Sequence, residues 1–396
     1  MFLMLKSLVI KNYRGLEDFQ VEKLGRVNLI VGKNNSGKST VLEALRLYAA
    51  SGHRSVLEQI AADHDERFFL TDEDAEDLEL PFEHLFTGRG FPEDGTAIEI
   101  GEQGSSQALM IRHVYILEHE EQTVAPDGSD IVRRRRRAVP PIQVADDEFD
   151  TVVSQGLQLR KARHTVELPF ERTNGAIGSR IRIPELPDTL PCSYIPTRFV
   201  DMDELAVEWD QVALTDHEKT LKDVLRIIAP DFKDLAFVSK DDRYGRRDYA
   251  SSRLRHRQVQ RTAKVRLQGV DKPVSLNSMG DGMLRLLQLV LKMFPARGGL
   301  LLIDEFENGL HYSVQKQVWD LVFELAERLD IQVFATTHSW DCIQTFARAA
   351  LDRPDIEGVL FRVGKSARKS DSGKTIATVF DEDRLYQITE ADIEVR

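Results

Sequence analysis

The sequence predicts a mixed α/β fold built around a phosphate-cradling loop, and three observations predict it. A short apolar run, Val27, Leu29, Ile30 and Val31, passes directly into Gly32-Lys33-Asn34-Asn35-Ser36-Gly37-Lys38-Ser39. The next stretch has helical spacing, with Val41, Leu42, Leu45 and Leu47 on one face. Two further apolar runs, 300–303 and 331–336, end in acids and in a turn carrying a histidine, and a helical pattern separates them. Strands alternating with helices in this way predict a parallel sheet covered on both faces.

The rest of the chain is read in order. Residues 3–12, 19–24 and 26–31 are expected as strands, with Gly15 ending the first. From 53 to 190 the composition shifts: 58–83 holds eleven acids and one base, Arg67, and five arginines run from 133 to 137. That run is expected in a loop and the acidic run on a solvated surface. Residues 192–197 are expected as a strand and 215–228 as a helix stopped by Pro230. Helices are expected over 283–294, 312–329 and 341–350, and closing strands over 359–363 and 375–380. The expected organisation is an N-terminal lobe over 1–52, an inserted region over 53–190, a helical lobe and basic segment over 191–270, and a C-terminal lobe over 271–396.

Composition narrows the class. The 396 residues carry 65 Asp and Glu against 53 Lys and Arg, a net charge of −12, which excludes a uniformly basic coat. Two cysteines, Cys192 and Cys342, exclude a disulfide scaffold and point to a reducing, cytoplasmic setting. No apolar run approaches the ~18 residues of a membrane span, and the first ten residues, broken by Lys6 and Ser7, read as a buried strand rather than a leader.

The loop pattern fits G-x-x-x-x-G-K-[ST]. Its glycines let backbone N–H groups wrap a phosphate chain, and the following helix adds its positive end. Lys38 is placed to reach the β- and γ-phosphates, and the Ser39 hydroxyl to ligate Mg²⁺. Gly32, Lys33, Asn34, Asn35, Ser36, Gly37 and Thr40 complete the phosphate-binding set. Asp304, at the end of its strand, is the expected Mg²⁺ residue, and Glu305 the base that polarises the attacking water. His338 lies 33 residues on, at the next strand end facing the same crevice, and is expected to contact the γ-phosphate. Ser278 and Gly280, in Asn277-Ser278-Met279-Gly280-Asp281-Gly282, open a helix as a second anion-binding turn.

In this order the four elements resemble the ATPase heads of the ABC-type superfamily: P-loop, signature turn, Walker B acids, switch histidine. The N-terminal "LKSLVIKNYRGLEDF" and "VNLIVGKNNSGKSTVLEAL" look like the SMC, RecF and OLD branch. "SMGDGMLRLL", "LLIDEFENGLHYSVQKQVWD" and "FATTHSWDCI" are similar to stand-alone OLD-like AAA family ATPases. The resemblance covers 1–50 and 190–396. It implies a P-loop NTPase fold with a mixed central sheet, an N-terminal antiparallel β region and a helical lobe. It also implies ATP and Mg²⁺ as cofactors and a head-to-tail homodimer closed by ATP, in which Ser278 and Gly280 act on the partner's γ-phosphate. Asn308-Gly309-Leu310-His311 falls where that family has its dimer-contacting loop. The signature departs from Leu-Ser-Gly-Gly-Gln and keeps only the Ser and the second Gly. Gln155 and Gln158 are the candidates for the glutamine linking core to helical lobe. No long heptad region is present, and any nuclease activity, such as that of a Toprim-type effector, is expected to come from a separate polypeptide.

Two functions stay open on this reading. The basic segment from Lys240 to Arg266, with ten Lys and Arg against three Asp, offers phosphate contacts. It suits a DNA-repair or phage-defence ATPase and equally a solvated face. The acidic balance suits a protein-interaction ATPase that docks a partner through 53–190 without touching nucleic acid.

Overall fold

The computed structural model describes residues 4–66, 68–69, 78–79, 81–124, 130–144, 152–170, 185–198, 201–239, 260–368, 371 and 373–380. The chain opens with β1 (Leu8–Tyr13), β2 (Leu16–Val21), β3 (Val27–Val31), α1 (Lys38–Ala49) and α2 (Arg54–Asp63). An all-β stretch follows: β4 (Phe68–Phe69), β5 (Leu78–Glu79), β6 (Ile98–Gly101), β7 (Leu109–Val124), β8 (Asp130–Val139), β9 (Val152–Lys161) and β10 (His164–Pro169). Then come β11 (Cys192–Ile195), α3 (Met202–Val212), α4 (Asp216–Leu225), β12 (Phe232–Ser239), β13 (Arg261–Leu267) and β14 (Val274–Ser275). The last part runs α5 (Asp281–Met293), β15 (Leu300–Ile303), α6 (Tyr312–Arg328), β16 (Gln332–Thr337), α7 (Trp340–Asp352), β17 (Gly358–Lys365) and β18 (Thr375–Phe380).

A six-stranded mixed sheet is ordered β11-β15-β16-β3-β17-β18, parallel except for β18. Its alternating side chains divide between two cores. On β15, Leu300 and Leu302 join one core with α1, while Leu301 and Ile303 join the other with the helices α5, α6 and α7. Burial on both faces is why this strand reads as an unbroken apolar run. In the helix-side core Trp319 stacks on Phe306 at 3.6 Å between ring centroids.

The second sheet is antiparallel, ordered β10-β9-β7-β6-β1-β2, with β8 on β7. It covers α1 from the other side, through Leu8, Ile10, Phe19, Ile98, Ile100, Leu109 and Ile111. The strands of 98–169 thus pair edge to edge with β1, by way of β6. A third sheet, β12-β13-β14, packs with α3, α4 and α5.

Three expectations are corrected. The arginines 133–137 are not in a loop; they lie on β8 in register with Leu117, Glu118, His119, Glu120 and Glu121 of β7. Opposite charges across the pair, such as Arg136 and Glu118 at 2.9 Å, make the strand favourable. The strand expected over 19–24 begins at Leu16, because the β1–β2 hairpin pairs Tyr13 with Leu16 around a two-residue turn. The acidic run is not wholly solvated: Glu66 is buried beneath Arg14, His84 and Arg89. Helix α3, capped by Asp201 accepting from the Asp203 N–H, and strand β12 have no counterpart in the sequence reading. Most of the basic segment, 240–259, lies outside the described residues; its end forms β13, paired with β12 and β14.

Candidate active site

The loop from Gly32 to Gly37 connects β3 to α1, so the helix N-terminus faces the loop interior. Gly32 has φ 152°, and a Cβ there would lie 2.4 Å from the Val363 backbone oxygen and 2.7 Å from Ser36 Oγ. Gly37 caps α1 in the left-handed region at φ 103°. Lys38 curls back over the loop, and its Nζ donates to Gly32 O at 2.8 Å and Lys33 O at 3.0 Å. Burial holds its ammonium below the usual lysine range, opposed by Asp304, Glu305 and Glu307. Ser36 Oγ is buried with no hydrogen-bond partner among the described residues, an orphan that a bound phosphate would satisfy.

Asp304 faces this loop from the end of β15. Ser39 Oγ lies 3.2 Å from both of its carboxylate oxygens, and Thr336 Oγ1 donates to Oδ1 at 2.6 Å. Thr197 Oγ1, just past β11, donates to Oδ2 at 3.2 Å. Glu305 follows at φ 49°, a conformation that non-glycine residues seldom adopt. Its N–H donates to Thr336 Oγ1 at 2.8 Å. Its carbonyl accepts from Arg285 Nη2 at 2.9 Å, and the same nitrogen donates to Asp304 O at 2.8 Å. Strain at such a position persists only where its surroundings hold it, and here two named contacts do.

His338 begins the turn after β16. Its Nδ1 is 3.5 Å from Glu305 Oε1 and 3.2 Å from Glu307 Oε1. Glu307 Oε1 also accepts from the backbone N–H groups of His338 and Ser339, fixing the turn. Lys38, Ser39, Asp304, Glu305 and His338 therefore meet around one opening. Beside the loop lies a cleft of about 480 Å³ bounded by Asn35, Ser36, Gly37, Thr40 and basic side chains from elsewhere in the chain.

Two family models match. One described as "AAA ATPase domain" covers residues 4–137, and one described as "AAA domain, putative AbiEii toxin, Type IV TA system" covers 210–341. An ATP/GTP phosphatase of Helicobacter pylori is 23% identical over 358 residues, 86% of this chain and 87% of that one. The DNA replication and repair protein RecF of Clostridioides difficile is 33% identical over 87 residues, 22% of this chain and 19% of that one. Both matching family models are AAA ATPase domains, and together with the phosphatase relative they support an ATPase. An uncharacterised protein of Methanocaldococcus jannaschii is 46% identical over 48 residues, 12% of this chain, and the match spans only 22% of that protein's length. A solved SMC head bound to the C-winged helix domain of ScpA aligns over 98% of this chain and all of that one, at 13% identity and a TM-score of 0.45.

In this ATPase the signature turn stands apart from the P-loop. Asn277, Ser278 and Gly280 are exposed ahead of α5, and Ser278 Oγ donates to Ser275 O at 2.6 Å. Among the described residues no hydrogen bond or ion pair joins Ser278 or Gly280 to Lys38 or Asp304. A Cβ at Gly309, after the Walker B acids, would lie 3.4 Å from Asp281 Cβ at the start of α5.

The glutamine candidates are corrected. Gln155 and Gln158 lie on β9 in the antiparallel sheet, where Gln155 is 3.0 Å from His113 Nε2 and Gln158 pairs with Glu167. The strand that enters the site beside Asp304 is β11, and the residue after it that reaches the carboxylate is Thr197.

Sequence reasoning also missed Thr336, Glu307 and Arg285. Arg285 had a readable signal, being a lone base within the apolar stretch Met283 to Leu291. A charge on a buried helix face needs partners, and backbone carbonyls supply them here.

Proposed function

We propose that this ATPase is a Mg²⁺-dependent switch that binds ATP at the 32–40 loop, hydrolyses it, and dimerises head to tail while ATP is bound. The observation that carries the proposal is the convergence of Lys38, Ser39, Asp304, Glu305 and His338 on one opening. The Ser39 hydroxyl and Asp304 carboxylate together fit a hard cation, which takes few protein ligands alongside phosphate oxygens. Such an ion supplies charge neutralisation on the phosphates.

The protein's own groups do the rest. Backbone N–H groups of the loop and Lys38 hold the phosphates. Glu305 orients and deprotonates the attacking water. His338, braced by Glu307, contacts the γ-phosphate. Catalysis is then mostly positioning and electrostatic stabilisation. The exposed Ser278 and Gly280 act on the nucleotide of a second copy. Support for that role comes from their separation from the P-loop of their own chain.

The wider reading is an ATPase subunit of a DNA-repair or phage-defence type system that works with a separate effector. It is supported by the RecF relative and by the basic composition of 240–266. The net charge of −12 favours a second reading, a protein-interaction ATPase that docks a partner through 53–190. Duplex DNA separates the two. ATPase stimulation that falls steeply with salt supports the first, and a rate indifferent to DNA supports the second.

The deciding experiment for the switch is light scattering of Glu305→Gln with and without Mg-ATP. A monomer that doubles its mass only with ATP is the expected result. A mass that ignores ATP would overturn the dimer switch.

A further inference from the structure

Strand β16 lies between the strand that ends in the acids and the strand that leads into the P-loop, pairing with β15 on one side and β3 on the other. Its last partner on β15 is Ile303, opposite Ala335, so Thr336 stands one step beyond, level with Asp304. Thr336 is fully buried. From there it meets three consecutive residues. Its Oγ1 donates to Asp304 Oδ1 at 2.6 Å and accepts from the Glu305 N–H at 2.8 Å. Its backbone oxygen accepts from the Phe306 N–H at 2.9 Å.

Proton counting fixes the direction of these bonds. A threonine hydroxyl has one proton and two lone pairs. The Glu305 N–H can only donate, so it takes a lone pair, and the proton is left for the carboxylate. A hydroxyl bonded to a carboxylate is short and charge-assisted, as this one is. Asp304 Oδ1 is thereby held in one orientation, while Oδ2 takes a longer contact from Thr197 Oγ1 at 3.2 Å. The same Thr336 oxygen anchors Glu305, whose φ of 49° is costly without such an anchor.

We propose that Thr336 is a positioning residue for hydrolysis, its one hydroxyl setting both the Asp304 carboxylate for the cation and the Glu305 backbone for the attacking water. The inference rests on Asp304 holding Mg²⁺ and Glu305 activating water. Removing a hydrogen-bond partner behind a metal ligand costs about 10- to 100-fold in metal affinity or activity. The Phe306 contact belongs to the Thr336 backbone. It survives any side-chain change there and keeps the path of the turn, so the hydroxyl can be removed by itself.

The test titrates Mg²⁺ into the full chain with a fluorescent ATP analogue and reads the half-saturating Mg²⁺ for nucleotide binding. It then reads kcat for ATP at saturating Mg²⁺, per mole of nucleotide bound. The wild type is compared with Thr336→Ser, Thr336→Val and Thr336→Ala. Valine keeps the shape of threonine and alanine that of serine, each without the oxygen, so either pair isolates the hydroxyl if one variant fails to fold. Thr336→Val and Thr336→Ala are expected to raise the half-saturating Mg²⁺ and lower kcat, each by about tenfold or more. Thr336→Ser is expected to stay near the wild type in both, and affinity in EDTA to be unmoved throughout. Thr336→Ser falling as far as the hydroxyl-free variants, a change in one readout alone, or no change in either overturns the inference. An equal loss of affinity in EDTA also overturns it, since Thr336 would then only support the fold. Wild-type nucleotide binding and turnover that both ignore Mg²⁺ would instead defeat the cation reading of Asp304 itself.

Discussion

Arg285 Nη2 donates to the backbone oxygen of Glu305 at 2.9 Å, tying helix α5 to the residue expected to activate water. Arg285 is 1% exposed, and burial pulls its guanidinium down to about 10, so it keeps its charge at neutral pH. The signature turn lies at the near end of the same helix, ending at Gly280, five residues before Arg285. Arg285→Met is expected to release Glu305 from φ 49° and leave the Asp304 and Glu305 carbonyls without this donor. The expected outcome is a fall in kcat of tenfold or more with ATP affinity changed far less, read from turnover and equilibrium nucleotide binding. Equal loss in both would show that Arg285 only supports the fold.

Glu305→Gln removes the proposed base and keeps the shape. General-base removal costs about 10²–10⁴ in rate. ATP binding should persist, and turnover by the purified variant at the wild-type rate would refute the assignment.

Lys38→Ala removes the ammonium that now donates to Gly32 O and Lys33 O. Those carbonyls lie at an open loop and can take water, so stability should change little. ATP affinity should fall by at least tenfold. Titration with a fluorescent nucleotide checks the affinity and a melting curve the stability.

Lys161 predicts a pH dependence. It is 3% exposed, and its Nζ donates to Tyr48 O, Ser51 Oγ and Asp188 O. Burial pulls its pKa down from 10.5 to about 8. Between these values the unfolded chain holds the proton and the folded chain does not, so this group makes stability rise with pH over that window. The contribution is on the order of 3 kcal/mol. Denaturant titrations from pH 7.5 to 10.5 should show that rise in the wild type relative to Lys161→Met. Parallel curves for the two proteins would refute it.

The parts of the site that local order encodes were legible in the residues. The glycines and Lys38 of the loop must be contiguous to wrap a phosphate, and Asp304 and Glu305 must end a buried strand. His338 was readable because it ends the next strand of the same sheet. Thr197 and Thr336 were not, since a threonine at a strand end has no special pattern until an aspartate faces it. Gln155 and Gln158 misled because a glutamine on a strand looks the same whichever sheet the strand joins.

Fold class and the glycine-rich and acid-bearing ends of the strands follow from the residues alone. Short-range sterics, periodicity and chain order suffice for those features. Only the tertiary structure decided what lies across from them. It brought Arg285 onto the Glu305 carbonyl from 20 residues away, and Glu66 beneath Arg14 and Arg89. It also put the five arginines of β8 in register with residues 117–121 of β7, Arg136 opposite Glu118. These pairings depend on which sheet edge and helix face meet, and the whole packed core sets that choice, not any local run of residues.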